Sequence, residues 1–175
     1  MSKTTVTPEK QHRVEEQIRQ EQKQVDYKTL DYPIALLVDK YLTGIADNSN
    51  ELFIPDSRKG IPWDNQRQSR LIEFILLRLP IVALYVSEVS SQDDAEDGRL
   101  EIIDGSQRLQ TIARFLRNEL TLSNLTQLTA LNGVRFLELP DTYQNKFKGY
   151  LVRVVQFTQD TSEEDRQDFY ERLNS

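Results

Sequence analysis

The chain has 175 residues, of which 38% are hydrophobic and 29% charged, and its net charge is −6. This length can bury the core of one domain, and the absence of cysteine excludes disulfides, thiol catalysis and thiolate metal sites. With His12 as its single histidine, the sequence also argues against multi-histidine metal sites and paired-histidine nuclease motifs. The negative net charge argues against a broad DNA-binding surface. Lacking both an apolar run of about 18 residues and a signal segment, the chain is expected to be cytoplasmic and without a membrane partner.

Residues 1–29 read as a polar N-terminal arm, and residues 30–175 as the domain itself. From Pro8 to about Lys28 the arm is rich in Glu, Gln, Lys and Arg, and a thin apolar stripe predicts that part of it is helical. The stripe consists of Val14, Ile18 and Val25. Two interpretations stay open: a solvated arm that packs loosely, or a helix that pairs with a partner such as a second copy of the chain.

Helices and strands are expected to alternate irregularly through the domain. Apolar residues at three- and four-residue spacing, with capping residues before them, predict helices at 33–42, 64–79, 106–118, 141–148 and 161–173. The most regular stripe is Ile72, Ile75, Leu76 and Leu79, and the expected caps are Asp64, Asp141 and the Thr161–Glu164 capping box. Apolar, β-rich runs predict strands at 51–55, 81–86, 100–103 and 150–157, with a short strand or extended segment at 133–140. The acidic stretch 90–98 is expected to connect two strands as a hairpin loop.

The stretch from Arg99 to Leu109 carries the most chemistry. A buried strand is expected to run into Asp104 and Gly105, and a helix to begin within two residues. A helix N-terminus attracts anions through its free backbone N–H groups and its dipole. Gly105 permits close backbone approach, Ser106 and the helix-end amides can donate, and Arg108 offers a bidentate guanidinium. Asp104 is a candidate to hold Mg²⁺ or to orient a water molecule.

A structural alternative exists for the same residues. Asp104 and Gln107 have the spacing of a capping box, and both could simply close the start of a helix. The stretch is neither a Walker loop nor a dinucleotide-binding fingerprint, because the glycines and the Gly-Lys-Ser/Thr ending are missing. From spacing alone, an anion site and a helix cap are equally well supported.

The run from Leu100 to Phe115 resembles a known signature, Asp-Gly-Gln-Gln-Arg-Leu-Thr-Thr. That signature belongs to the N-terminal domain of GmrSD-type (Type IV) restriction endonucleases, in the ParB/sulfiredoxin-like group. Further segments resemble the family in the same order: 57–64 with 71–81, 133–140 and 168–175. The resemblance covers about residues 30–175, with two departures, because Ser106 and Ser57 stand where the family usually has Gln.

The resemblance implies an α+β fold, with a small mixed sheet flanked by helices. It also implies that a nucleoside triphosphate, GTP or ATP with Mg²⁺, binds and is weakly hydrolysed, and that hydrolysis regulates a nuclease in restriction or phage defence. The nucleotide-site residues implied are Asp104, Gln107 and Arg108 in catalysis, and Arg58, Gly105, Ser106, Arg108 and Asn174 in binding. DNA would be reached through a fused or separate nuclease domain, because this chain contains no nuclease motif.

Three further expectations complete the sequence analysis. The family normally continues beyond Asn-Ser, so either a C-terminal truncation or a standalone remnant of the longer protein is expected. Trp63 is assigned to core packing rather than to ligand stacking. Two competing functions stay open: a ParB-like DNA-binding or transcription-associated module, which would need a basic face, and a non-catalytic interaction domain in which Asp104 and Gln107 only cap a helix.

Overall fold

The computed structural model describes residues 6–22, 25–89, 98–158 and 161–175. Within these ranges the helices are α1 (Pro8–Glu21), α2 (Ile34–Leu42), α3 (Asn65–Leu76), α4 (Ser106–Leu116), α5 (Asp141–Lys148) and α6 (Glu163–Leu173). The strands are β1 (Tyr27–Pro33), β2 (Leu52–Phe53), β3 (Leu84–Glu88), β4 (Leu100–Asp104) and β5 (Leu151–Phe157). In this described part of the chain, no helix combines the length and the apolar character needed to cross a bilayer.

The five strands form one mixed sheet in the order β1-β5-β3-β4-β2. The β1–β5 and β3–β4 pairs are antiparallel, whereas β5–β3 and β4–β2 are parallel. This confirms the predicted α+β class and its mixed sheet flanked by helices, while the finer likeness to ParB and sulfiredoxin stays a prediction. The expected hairpin loop between β3 and β4 falls, except for Gly98, outside the described residues.

Helices cover the two faces of the sheet unequally. Leu84, Val86 and Ile102 join the main core, to which α2, α3, α4 and α5 contribute. Side chains alternate across a strand, so Tyr85 and Glu101 point to the opposite face, where α6 lies. The main core is closed by three phenylalanines whose ring centroids lie 5.2 to 5.7 Å apart, namely Phe115, Phe136 and Phe147.

Helix α3 begins as predicted but ends early. Asp64 caps it, since its carboxylate accepts from the Arg67 N–H at 2.8 Å. The helix stops at Leu76 because Arg78 adopts a left-handed conformation with φ of 62°. Leu79, expected on the buried stripe, is therefore 39% exposed. No residue preference predicts a left-handed conformation at an arginine, so the sequence places the end of this helix just before Pro80.

Strand β1 was not predicted. Helix α1 ends at Glu21 and has no buried residue, and the edge strand β1 begins at Tyr27, one residue before the predicted end of the helical arm. β1 shows no apolar alternation, because most of its residues are exposed along the sheet edge. Its position comes from pairing with β5, a contact between residues more than a hundred positions apart in the sequence.

Four local expectations differ from the structure in detail. The segment 133–140, predicted as a short strand or extended segment, contains a 3₁₀ turn at Phe136–Glu138 and no strand, and β3 begins at Leu84 rather than at residue 81. Ser162, not Thr161, caps α6, and its hydroxyl accepts from the Asp165 N–H at 3.1 Å. Asp141 is the first residue of α5 after the N-cap Pro140 and makes no capping bond.

A buried carboxylate fixes the segment that follows α4. Glu73 of α3 is 6% exposed, and one of its oxygens accepts from the N–H groups of Gln127 and Leu128 at 3.0 and 2.8 Å. We expect Glu73→Ala to lower the free energy of unfolding by about 2 kcal/mol, because two charge-assisted bonds are lost. Urea unfolding measures this change.

The matched control is Glu119→Ala. Glu119 pairs with Arg117 at 2.8 Å on the surface, and such exposed pairs contribute no more than about 1 kcal/mol. Equal losses in the two variants would contradict the anchoring role of Glu73.

Candidate functional site

The junction between β4 and α4 requires glycine. Gly105 is the N-cap residue of α4 and has φ of 105°, a region that side chains rarely adopt. A Cβ built at this position would lie 2.2 Å from Leu84 Cδ2 and 2.9 Å from Arg108 Nη2. The chain therefore passes from strand to helix within one residue, and the first N–H groups of α4 are presented beside Asp104.

The capping-box alternative is wrong for this junction. Gly105, not Asp104, is the N-cap, and no side-chain capping bond is present at the start of α4. The Asp104 carboxylate instead meets Arg108 Nη2 at 3.3 Å, and its other oxygen accepts from Asn174 Nδ2 at 3.4 Å. Asp104 thus connects the motif to the C-terminal end of α6.

Gln107 fixes the loop that precedes α3. Its Oε1 accepts from the Trp63 N–H at 3.0 Å, and its Nε2 donates to the Lys59 carbonyl at 2.7 Å. Both ends of the amide are therefore engaged with backbone across the cavity. This contact gives Gln107 a positioning role, where the family resemblance implied a catalytic one.

Arg108 lies on the first turn of α4 and is only partly hydrogen-bonded. Its Nη2 donates to the Ala83 carbonyl at 2.9 Å and meets Asp104. Its Nε is buried and, within the described part of the chain, has no hydrogen-bond partner. A guanidinium presents its donors in a fixed plane, so Arg108 keeps capacity for an additional acceptor.

Arg58 approaches the motif from the opposite loop, as predicted, and it is 4% exposed. It pairs with Glu101 through Nη1 and with Glu163 through Nη2 at 3.5 Å, while its guanidinium lies 5.8 Å from the Tyr170 ring centroid. Its Nε is also buried without a partner among the described residues. Glu163 in turn pairs with Arg166 at 2.6 Å, so two arginines and two glutamates form a continuous ionic chain.

These residues surround one cavity of about 320 Å³. The structure brings together every residue predicted for the site, namely Arg58, Asp104, Gly105, Ser106, Gln107, Arg108 and Asn174. Arg67, Tyr85 and Tyr170 are among the lining residues that the sequence did not predict for the site. Arg67 was assigned only to the first turns of α3, while Tyr85 and Tyr170 reach the cavity from β3 and α6 and carry no motif.

Trp63 packs partly against the core, as expected, and it also lines the cavity. The Arg67 guanidinium stacks over its ring at 4.2 Å from the centroid. One wall of the cavity is therefore a flat aromatic surface with a cation above it.

Among the candidate residues of the site, Asp104 is the one with a carboxylate that could bind a metal ion. Within the described residues, no group of three or more His, Asp or Glu side chains is arranged to hold a metal ion. Mg²⁺ commonly uses one or two carboxylates together with phosphate oxygens and water. Asp104 is compatible with that mode, in which the ligand supplies most of the oxygens.

Removing the Gln107 amide is expected to release the loop at Trp63. In Gln107→Ala the Trp63 N–H loses its acceptor, so its hydrogen exchange should accelerate about tenfold. Exchange followed by NMR measures this rate. Gln20→Ala, which removes an exposed contact on α1 at 3.5 Å, is the control and should leave the Trp63 rate unchanged. An unchanged rate in Gln107→Ala would refute the positioning role.

The ionic chain also predicts a pH dependence. Burial raises the pKa of Glu101 above its ordinary value of 4.5, although the guanidiniums of Arg58 and Arg166 counteract part of the shift and Glu163 adds to it. The folded protein therefore holds this proton more tightly than the unfolded chain. The resulting stabilisation is complete below pH 4.5 and is lost as the pH rises through the elevated pKa.

Glu101→Gln tests this dependence, because glutamine cannot ionise. Relative to this variant, the wild-type protein should lose unfolding free energy as the pH rises above 4.5. Urea unfolding of both proteins across this range gives the difference. Parallel stability curves would contradict the raised pKa.

Comparison with known proteins agrees with this geometry. Residues 38–175 match the family described as GmrSD restriction endonuclease, N-terminal domain. Neither the curated proteins nor the solved structures gave a match. The match spans most of the chain and includes the whole candidate site, and it confirms the predicted resemblance. The chain therefore belongs to the family of GmrSD restriction endonuclease N-terminal domains.

Proposed function

We propose that this domain binds a nucleoside triphosphate, GTP or ATP, in the cavity between β4, α4 and α6. Bound nucleotide would regulate a restriction endonuclease that acts on DNA. Family membership supports a role in restriction. The observation that carries the nucleotide proposal is the approach of the Arg58 and Arg108 side chains to one cavity, beside the N-terminus of α4.

Guanidinium groups that line a cavity favour an anionic ligand, because they carry positive charge and several N–H donors. A phosphate group supplies several anionic oxygens and pairs well with planar guanidinium groups. Arg108 is the better placed of the two, because Arg58 is already paired with Glu101 and Glu163.

The local charge favours an anion although the chain is acidic. The cavity lining includes Arg58, Arg67 and Arg108 against one carboxylate, Asp104. The N-terminus of α4 adds its dipole and unpaired N–H groups beside Ser106. Together these features favour an anionic ligand in this cavity, although the chain as a whole is acidic.

The aromatic side chains and the size of the cavity indicate where the base of a nucleotide would lie and how much of the ligand would fit. Tyr170 lines the same space, and the Arg67 guanidinium lies over the Trp63 ring, so a base would stack on Tyr170 or on the planar guanidinium of Arg67. A volume of about 320 Å³ is near the lower end of the range for small-molecule sites. A nucleotide would therefore place its phosphates inside and leave part of its length toward solvent.

Hydrolysis, where it occurs, would depend on Asp104. Asp104 would hold Mg²⁺ through one carboxylate, and the ion would neutralise phosphate charge. Gln107 would act indirectly, by keeping Trp63 and the loop in place. Asn174 would orient Asp104 from the end of α6. We propose that DNA is reached through a fused or separate nuclease or effector domain.

Thermal melting with nucleotides tests the proposal. GTP or ATP with Mg²⁺ at about a hundred times Kd should stabilise the fold by about 2.7 kcal/mol, which is a rise in Tm of about 5 to 10 °C. Arg108→Ala should abolish this rise, and Arg108→Lys should reduce it, because lysine keeps the charge but lacks the planar fork.

Arg117→Ala is the matched control. Arg117 pairs with Glu119 away from the cavity, so this variant should keep the full rise. Far-UV circular dichroism shows whether Arg108→Ala retains the fold. A full nucleotide-dependent rise in folded Arg108→Ala, or no rise with any nucleotide in the wild type, would refute the proposal.

A further inference from the structure

The sheet has an open edge along β1. This strand pairs with β5 on one side, and on the other side it is the last strand of the sheet. Four of its seven residues are exposed, and the other three are partly exposed. An unpaired edge presents a row of backbone N–H and C=O groups to which another strand can bind.

The pairing with β5 determines which backbone groups of β1 are free. The Ile34 N–H donates to the Tyr150 carbonyl at 3.0 Å, and the Thr158 N–H donates to the Asp26 carbonyl at 3.1 Å. Between these two bonds the antiparallel register is unbroken. Residues that are hydrogen-bonded to a neighbouring strand alternate along an antiparallel pair, so the even-numbered residues of β1 are bonded to β5.

The odd-numbered residues therefore point their backbone groups away from the sheet. These residues are Tyr27, Thr29 and Asp31, and their outward N–H and C=O groups have no hydrogen-bond partner within the described ranges. The series ends at Pro33, which lacks an N–H and is the N-cap residue of α2. The free edge is thus three bonding residues long and is centred on Thr29.

This edge is complementary to itself. If a second copy of β1 lay antiparallel to the first, with the two Thr29 residues opposed, Tyr27 would lie opposite the partner's Asp31. Each of these opposed pairs would exchange two backbone hydrogen bonds, so every free group along the edge would gain a partner. A register centred on Leu30 would instead set Tyr27 against the partner's Pro33, which has no N–H to donate.

The side chains fit the same register. Tyr27 is 63% exposed, and it would lie across from the partner's Asp31, which is paired with Arg153 at 3.2 Å on the same face of the sheet. A tyrosine suits this ion pair, because its hydroxyl can donate to the carboxylate and its ring attracts the guanidinium. Lys28 would lie opposite the partner's Leu30, so no two like charges would be directly opposed.

We infer that β1 is a dimerisation edge, to which a second copy of this chain adds its own β1 in antiparallel pairing about a two-fold axis at Thr29. The two five-stranded sheets would then form one continuous sheet across the dimer. The strands that line the nucleotide cavity, β3 and β4, lie beyond β5 from this edge. The inference is therefore independent of the proposed nucleotide function.

Thr29→Pro tests the pairing at its centre. Proline removes the Thr29 N–H from each copy, and an edge strand tolerates it because this N–H does not bond to β5. Two hydrogen bonds of the dimer are lost, so sedimentation equilibrium of the whole chain should show a dimer Kd raised about tenfold or more. Thr29→Val keeps the N–H and is the matched control, which should dimerise like the wild type.

Amide hydrogen exchange, followed by NMR, distinguishes this edge from other surfaces. In the wild-type dimer the outward amides of Tyr27, Thr29 and Asp31 should be protected, although a monomer would leave them open to solvent. In Thr29→Pro the amides of Tyr27 and Asp31 should exchange about tenfold faster or more. The amides of Lys28 and Leu30 should stay protected in both proteins, which shows that the variant still forms β1.

A cysteine cross-link gives independent evidence. The chain has no cysteine, so Thr29→Cys introduces a single thiol. In the proposed register the two Cα atoms at this position would be about 5.5 Å apart, which is within disulfide range. Mild oxidation should therefore link two copies of Thr29→Cys. It should link Ile61→Cys much more slowly, although Ile61 is 89% exposed.

Any of four outcomes would overturn the inference. The wild-type chain could sediment as a monomer at about 1 mM, or folded Thr29→Pro could dimerise as tightly as the wild type. Thr29→Cys could cross-link no faster than Ile61→Cys. A dimer whose Tyr27 and Asp31 amides exchange freely would show that another surface joins the copies. Nucleotide binding enters none of these measurements, so its failure would overturn only the proposed function.

Discussion

The buried guanidinium of Arg58 is the constraint on which the site depends. A charge that is 4% exposed must be paired, since an isolated buried charge costs several kcal/mol. Its partners come from β4 and α6, two elements far apart in the sequence. The pairing therefore holds the 56–58 turn, the sheet and the last helix in one arrangement. Without it, α6 would hold its wall of the cavity only through partly exposed contacts, because this helix has no buried residue.

The sequence predicted those elements of the fold whose stability is visible locally. Helices α3 and α4 carry apolar stripes at helical spacing, with Ile72 and Ile112 fully buried, and β5 is a continuous β-rich run. Two features escaped prediction because their causes are not local. β1 is an exposed edge strand that exists through its pairing with β5. The end of α3 depends on a left-handed arginine, which no residue preference signals.

The sequence predicted the location of the site better than it predicted what each side chain does there. The Asp-Gly junction indicated the position of the site, since glycine between a buried strand and a helix permits close packing, and Gly105 has a φ of 105°, which other residues rarely adopt. The role of Gln107 was not predictable, because the loop backbone that it binds lies more than forty residues earlier. Tyr85 and Tyr170 were missed for the same reason: tertiary contacts bring them to the cavity.

The position of α6 has a thermodynamic consequence. This helix has no buried residue and contacts the sheet through partly exposed groups, among them the Arg58–Glu163 pair and Phe169, so its free energy of docking is small compared with that of the core helices. Detachment of α6 would remove Tyr170, Leu173 and Asn174 from the lining of the candidate site, while the core stays folded. The fraction of molecules with a complete cavity therefore equals the fraction in which α6 is docked, and any ligand that needs the complete cavity would bind with an affinity reduced by that fraction.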